Sequence, residues 1–169
     1  MEWWQIISAT VAEEFSDLPD LAETTRLVLR LGLAALLGGA LGYERAAKGK
    51  AAGVRTHMLV SLGAALFVLA PHMSGAEHDA LSRAIQGIAA GVGFLGAGTI
   101  IKGNSVHEVH GLTTAAGIWL TAAIGIAVGM GREATAVLST LLALIIFFVI
   151  PKVSPNDSDD ETHPRERLP

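Results

Sequence analysis

Apolar stretches, uncharged except for Arg30 in the first, recur along the chain, separated by short polar intervals. Five of them, at 27–43, 56–70, 84–101, 112–130 and 134–150, are long enough to approach the ~20 helical residues that cross a bilayer core. The second stops at Pro71 and the fifth just before Pro151-Lys152. The charges lie mainly before Arg30, between Glu44 and Arg55, around Glu77–Arg83, and after Pro151. This pattern predicts an all-α membrane protein, a bundle of about five transmembrane helices over residues 26–150. Residues 1–25 contain "MEWWQIISATVAEEF", too short and acidic to span, without the cationic start of a signal peptide. Trp3, Trp4, Ile6, Ile7, Val11 and Phe15 fall largely on one helical side, which suits an amphipathic helix lying in the membrane interface. A disordered start is the competing reading. Residues 151–169, "PKVSPNDSDDETHPRERLP", are polar and proline-containing, the composition of a disordered tail.

Composition sharpens this picture. The chain has 169 residues, 51% of them hydrophobic but only 17% charged and 5% aromatic. A soluble domain of this size carries about 25% charge. A net charge of −4, with no interleaving of basic and aromatic residues, excludes a basic nucleic-acid binder. Cysteine is absent, so neither disulfides nor thiolate metal sites arise. Short-loop cations set orientation. One side of a five-span bundle would hold Arg45, Lys48, Lys50, Arg55, Lys102, Lys152, Arg165 and Arg167, the other Arg26, Arg30, Arg83 and Arg132. The richer side belongs in the cytoplasm, so the N-terminus is expected outside and the C-terminus inside.

The third stretch contains "GVGFLGAGTII", which spells Gly91-x-Gly93-x-x-Gly96, the letters of a dinucleotide-binding turn. Such a turn follows a β-strand and needs an acid about 20 residues on. The preceding "LSRAIQGIAA" is Ala-rich rather than strand-like, and no Asp or Glu occurs from Leu112 to Arg132. Helical geometry explains the glycines better. At about 100° per residue, Gly87, Gly91 and Gly98 share one side, and Gly93 and Gly96 lie opposite. Small residues let membrane helices approach closely, so the third span is expected at the centre of the bundle. The fourth span repeats Thr113, Gly117, Thr121, Gly125 and Gly129 every four residues, and the first carries Gly32, Ala35, Gly39 and Gly42. These two faces are expected to sandwich the third.

Polar residues at membrane depth are the candidates for function. Arg30 lies about one turn inside the first span. It either snorkels to the boundary or pairs with an acid from another helix. Glu44 and Arg45 close the first span, and Arg55, Thr56 and His57 open the second, so all five crowd one membrane edge and form a candidate hydrogen-bonded cluster. Lys48 and Lys50 between them are adequately explained as topology-setting charges. Asp79 and Arg83, one helical turn apart, are a candidate pair at the opposite side. His107 and His110 flank Glu108 at a spacing a metal could use, but without a third strong ligand ordinary loop histidines are the simpler reading, and no metal or cofactor is expected. Ser61 lies one turn from His57 without any oxyanion-hole pattern, so no nucleophile constellation emerges and no enzyme is expected.

Taken together, Glu44-Arg45, Gly53-x-Arg55-Thr56-His57, Gly93-Phe94-Leu95-Gly96-Ala97-Gly98 and Gly111-Leu112-Thr113-Thr114-Ala115-Ala116, in this order, closely resemble the MgtC/SapB membrane-protein family over roughly residues 26–150. The resemblance implies about five spans, a cytoplasmic C-terminus and a bacterial plasma membrane. It also implies a link to low magnesium and to virulence, and action by binding other membrane proteins, the proton-translocating ATP synthase among them. Many members continue into a cytoplasmic domain, whereas this chain ends 19 residues after Ile150. Where members commonly carry Arg before the Gly-Leu-Thr-Thr run, this chain has His110. The expected function is therefore a non-enzymatic membrane regulator whose partners are the bilayer, other membrane proteins and copies of itself. A small ion transporter or channel subunit is the alternative.

Overall fold

The computed structural model describes residues 2–14, 20–73, 78–102 and 109–153. Among the described residues six helices occur in this order: α1 (Trp3–Glu14), α2 (Leu21–Ala47), α3 (Val54–Met73), α4 (His78–Ala97), α5 (Leu112–Gly129) and α6 (Glu133–Val153). The tail beyond residue 153, the loop with His107 and the stretch containing Phe15 lie outside the described residues. Helices α2 to α6 are each long and apolar enough to cross a membrane. The chain is an all-α membrane bundle, as the hydropathy pattern predicts, and α1 is fully exposed.

Local chemistry sets the ends of the helices. The Asp20 side chain accepts a hydrogen bond from the Ala22 N–H at 3.2 Å and so caps α2. Helix α4 stops at Ala97, four residues before the predicted end of the third span. There the Thr99 hydroxyl donates to the Gly96 carbonyl at 2.8 Å, and a two-residue antiparallel ladder follows, with Ile101 opposite His110 and Lys102 opposite Val109. Gly111, next in the chain, has φ +87° and its Cα lies so close to the Thr99 carbonyl that a Cβ would overlap it. The Gly-Leu-Thr-Thr motif is thus a sharp entry into α5.

The arrangement of the spans differs from the expected sandwich. Helix α5 is the centre: it packs on α2, α3, α4 and α6, and half of its span is buried, against 11% of the α4 span. Helix α4 is peripheral, and among the described residues it packs mainly on α3 and α5. The glycine ladder of α5 does not receive α4 but α3, which runs parallel to it. A Cβ on Gly125 would overlap the Ser61 carbonyl, and one on Gly129 would stand 2.8 Å from the Ala65 carbonyl. Backbone-to-backbone approach this close requires glycine. On the α2 side, Gly42 lies against Val54 and Gly53, and Gly38 against His57 and Ser61, so α2 and α3 form a tight antiparallel pair.

Each remaining small residue named from the sequence has a distinct place. Gly39 meets the Met58 side chain, Gly117 meets Phe147 and His57, and Gly96 meets Ala115, the main close glycine contact of α4 with α5. The Thr121 hydroxyl donates to the Gly117 carbonyl at 2.8 Å, which satisfies it within its own helix. Thr113 lines a shallow cleft between α5 and α6. Gly98 has only the carbonyls of its own helix end nearby. Gly87, Gly91 and Gly93 face open space within this chain. The first two floor an apolar cleft of about 680 Å³ between α3 and α4, rimmed by Leu59, Phe67 and Leu95. The reason for the difference is that a glycine face shows only where a helix can be approached. Among three spans with such faces, the sequence does not say which pair meets.

Candidate functional site

The polar centre forms where α2 ends, α3 begins and α6 ends. Helix α2 continues past Tyr43 through Glu44 and Arg45, and both side chains turn inward, at 4% and 3% exposed. Arg45 Nε lies 3.3 Å from Glu44 Oε2, and Lys48 Nζ lies 2.8 Å from Glu44 Oε1. One carboxylate is therefore held between two cations. Burying a charge is costly unless it is paired; the pairing here is ionic, because neither Glu44 oxygen nor Arg45 Nε has a hydrogen-bond partner among the described residues.

The cations also grip α6. The Arg45 guanidinium stacks over the Phe147 ring at 4.3 Å, and the Lys48 ammonium sits 5.4 Å from the Phe148 ring centroid. Lys48 Nζ additionally donates to the Phe147 carbonyl. That carbonyl would ordinarily accept from the residue four positions on, which is Pro151 and has no N–H. Lys48 thus satisfies a carbonyl that the proline leaves free. Lys48 is more than a topology-setting charge, and its role was visible only in the Glu44-x-x-x-Lys48 spacing and the Phe147-x-x-x-Pro151 spacing.

His57 enters from α3 and is fully buried. Its Nδ1 lies 3.0 Å from the Gly53 carbonyl, which can only accept, so the neutral imidazole carries its proton on Nδ1 and its lone pair on Nε2. Nε2 and the Ser61 hydroxyl are buried with no hydrogen-bond partner among the described residues. Gly42 and Gly117 make room for the ring on either side. Of the five residues expected to cluster at this edge, the structure buries Glu44, Arg45 and His57. Arg55 and Thr56 sit at the same edge but point outward and are exposed. Asp79 and Arg83, both exposed, lie at the opposite end of the bundle and form no ion pair with each other.

A second, smaller polar contact lies at that opposite end. Arg30 Nε donates to Glu133 Oε1 at 3.3 Å, and Nη1 reaches the Gly129 carbonyl at 3.5 Å. Of the two readings of Arg30, pairing with an acid from another helix is the one the structure shows. Gly131, with φ +72°, lies against the guanidinium where a Cβ would collide with it. Because Glu133 is 46% exposed, this bridge is worth no more than about 1 kcal/mol. Arg30→Glu should lower the unfolding midpoint in detergent slightly, and adding Glu133→Arg should restore it. No recovery in the double variant would show that the pair is not a functional contact.

The MgtC family model matches residues 31–155, which include every residue of the polar centre. The chain belongs to the MgtC family. It is 45% identical over 130 residues to protein SrpB of Synechococcus elongatus, covering 70% of this chain and 71% of SrpB. It is 39% identical over 138 residues to the putative magnesium transporter YhiD of Escherichia coli, covering 78% of this chain and 63% of YhiD. It is also 39% identical over 117 residues to protein MgtC of Salmonella typhimurium, covering 69% of this chain but 49% of that protein. No solved structure matches. The polar centre thus lies in the part that these MgtC-family proteins share, and the chain is a multi-pass membrane protein.

Proposed function

We propose that this MgtC-family chain is a non-enzymatic membrane regulator that binds other integral membrane proteins and restrains or adjusts their activity. ATP synthase and ion transporters are the partner class that the family resemblance favours, in the setting of low-magnesium adaptation. The observation that carries this reading is the pairing of the buried charges. Glu44 is held by Arg45 and Lys48, and Arg30 is held by Glu133 at the other end. Between these two layers the buried polar side chains of the described residues are hydroxyls and one histidine, and Thr121 and Thr140 donate to their own helices. Such an interior locks helices together and offers a cation no continuous path of ligands.

The second reading is a small ion transporter or channel subunit. It is favoured by the likeness to YhiD, a putative magnesium transporter. Two measurements separate the readings. Purified protein in liposomes is expected to give no Mg²⁺ or H⁺ flux above empty vesicles, and mild-detergent pull-down is expected to recover a stoichiometric membrane protein. Robust flux would reverse the order. The same reading places the Glu44 end of the bundle in the cytoplasm of a bacterial plasma membrane, because the cations crowd there. A reporter fused after Lys152 should be active only inside the cell.

A further inference from the structure

Helix α4 has an outward face that does not suit lipid. The comparison is α6, whose exposed positions are Leu138, Leu141, Leu142, Ile145 and Ile146, a surface of the same character as acyl chains. On α4 a row of exposed positions runs along the flank between the groove to α5, which Ala89 borders, and the side opposite its buried Ile88 and Val92: Asp79, Ser82, Gln86, Ala89 and Gly93. Their spacing of three, four, three and four residues is that of a left-handed helix–helix seam. Gln86 lies seven residues inside the span, roughly 10 Å deep at 1.5 Å per residue. Its amide has no hydrogen-bond partner among the described residues. An amide left unpaired in hydrocarbon is unfavourable, and polar side chains at this depth are satisfied by other helices.

We propose that this α4 face pairs with the same face of a second copy of the chain, in a parallel contact about a two-fold axis along the membrane normal. Three features select a second copy as the occupant. A two-fold contact requires a self-complementary surface, and a carboxamide, being both donor and acceptor, complements itself at equal depth. Asp79 and Arg83 are exposed, one turn apart and not paired with each other. In a parallel pair each copy's Arg83 comes within reach of the other copy's Asp79, which gives a neutral set of four charges. Ala89 and Gly93 then let the backbones approach above Gln86. The pairing leaves the polar centre and the α3–α4 cleft uncovered, so it stands independently of the regulator reading.

The test uses the full chain in membranes, and the absence of native cysteine makes it direct. Under mild oxidation, Ser82→Cys, Ala89→Cys and Gly93→Cys should each give a disulfide-linked dimer, whereas Gly91→Cys and Val137→Cys should not. Gln86→Leu should weaken association about three- to tenfold, the range of a single interhelical hydrogen bond. Differently tagged Asp79→Arg and Arg83→Asp copies should capture each other better than either captures itself. A pair of charges within one copy would not produce that preference. Cross-linking at Gly91→Cys in place of the other three would overturn the proposal and assign self-contact to the α3–α4 cleft. A protein that is monomeric by light scattering in mild detergent and unlinked at every position in membranes would overturn it too. The face would then belong to a different membrane protein or to lipid. Neither result bears on liposome flux or on recovery of a regulated partner.

Discussion

Glu44→Gln is expected to destabilise the folded bundle by about 3–5 kcal/mol, the loss typical when one partner of a buried ion pair is removed. The reason is the fate of the cations. Arg45 is 3% exposed, and its ion-pair partner is Glu44. With a neutral amide in place of the carboxylate, the guanidinium remains buried against Phe147 with its charge uncompensated. Lys48, about a third exposed, can turn to water but then gives up the Phe147 carbonyl. Denaturant titration in mixed micelles reads the effect. The double variant Glu44→Gln with Arg45→Met should be more stable than the single one, because it removes the orphaned charge as well. Unchanged stability in Glu44→Gln would mean that the centre is hydrated rather than held by its ion pairs.

The second large effect separates two glycines that look alike in sequence. A Cβ at Gly125 would overlap the Ser61 carbonyl of α3, and backbone on both sides leaves little room to yield. Gly125→Ala should therefore cost at least the ~1–3 kcal/mol of an overpacked core, and Gly125→Leu should prevent assembly of α3 on α5. Gly91 has open space at its Cβ position. Gly91→Ala should be neutral or should stabilise by up to about 1 kcal/mol through helix propensity, and the chain's own fold should accept Gly91→Leu. This reverses the outcome expected when the third span is placed at the centre. Melting temperatures of the two alanine variants decide the point, and equal damage at both positions would mean that α4 is packed much deeper than described.

Much of this molecule is legible in its residues. The five spans and the kinship through Arg55-Thr56-His57 and Gly111-Leu112-Thr113-Thr114 follow from local pattern. So does the rejection of a nucleotide turn at Gly91-x-Gly93-x-x-Gly96, since that stretch lies in a helix as far as Ala97. Three residues of the polar cluster are legible too: Glu44, Arg45 and His57 are buried at one edge because a short loop joins the helices that carry them. Lys48 was undervalued because a lysine in a basic loop resembles any topology-setting charge. Only the proximity of α6, 99 residues away in sequence, gives it an acceptor at Phe147. The Arg30–Glu133 contact spans 103 residues and was equally hidden.

By itself the sequence determined what each helix is, because hydrophobic length, caps and glycine spacing are properties of one segment. It also determined which faces permit close approach. Which faces do approach is a property of pairs. Only the tertiary structure decided that the α5 ladder takes α3, that α4 stands at the edge, and that Gln86 looks outward. In a membrane every candidate interface is apolar and small-faced, so burial does not rank them. The choice falls to backbone fit and to the few charges that must find each other.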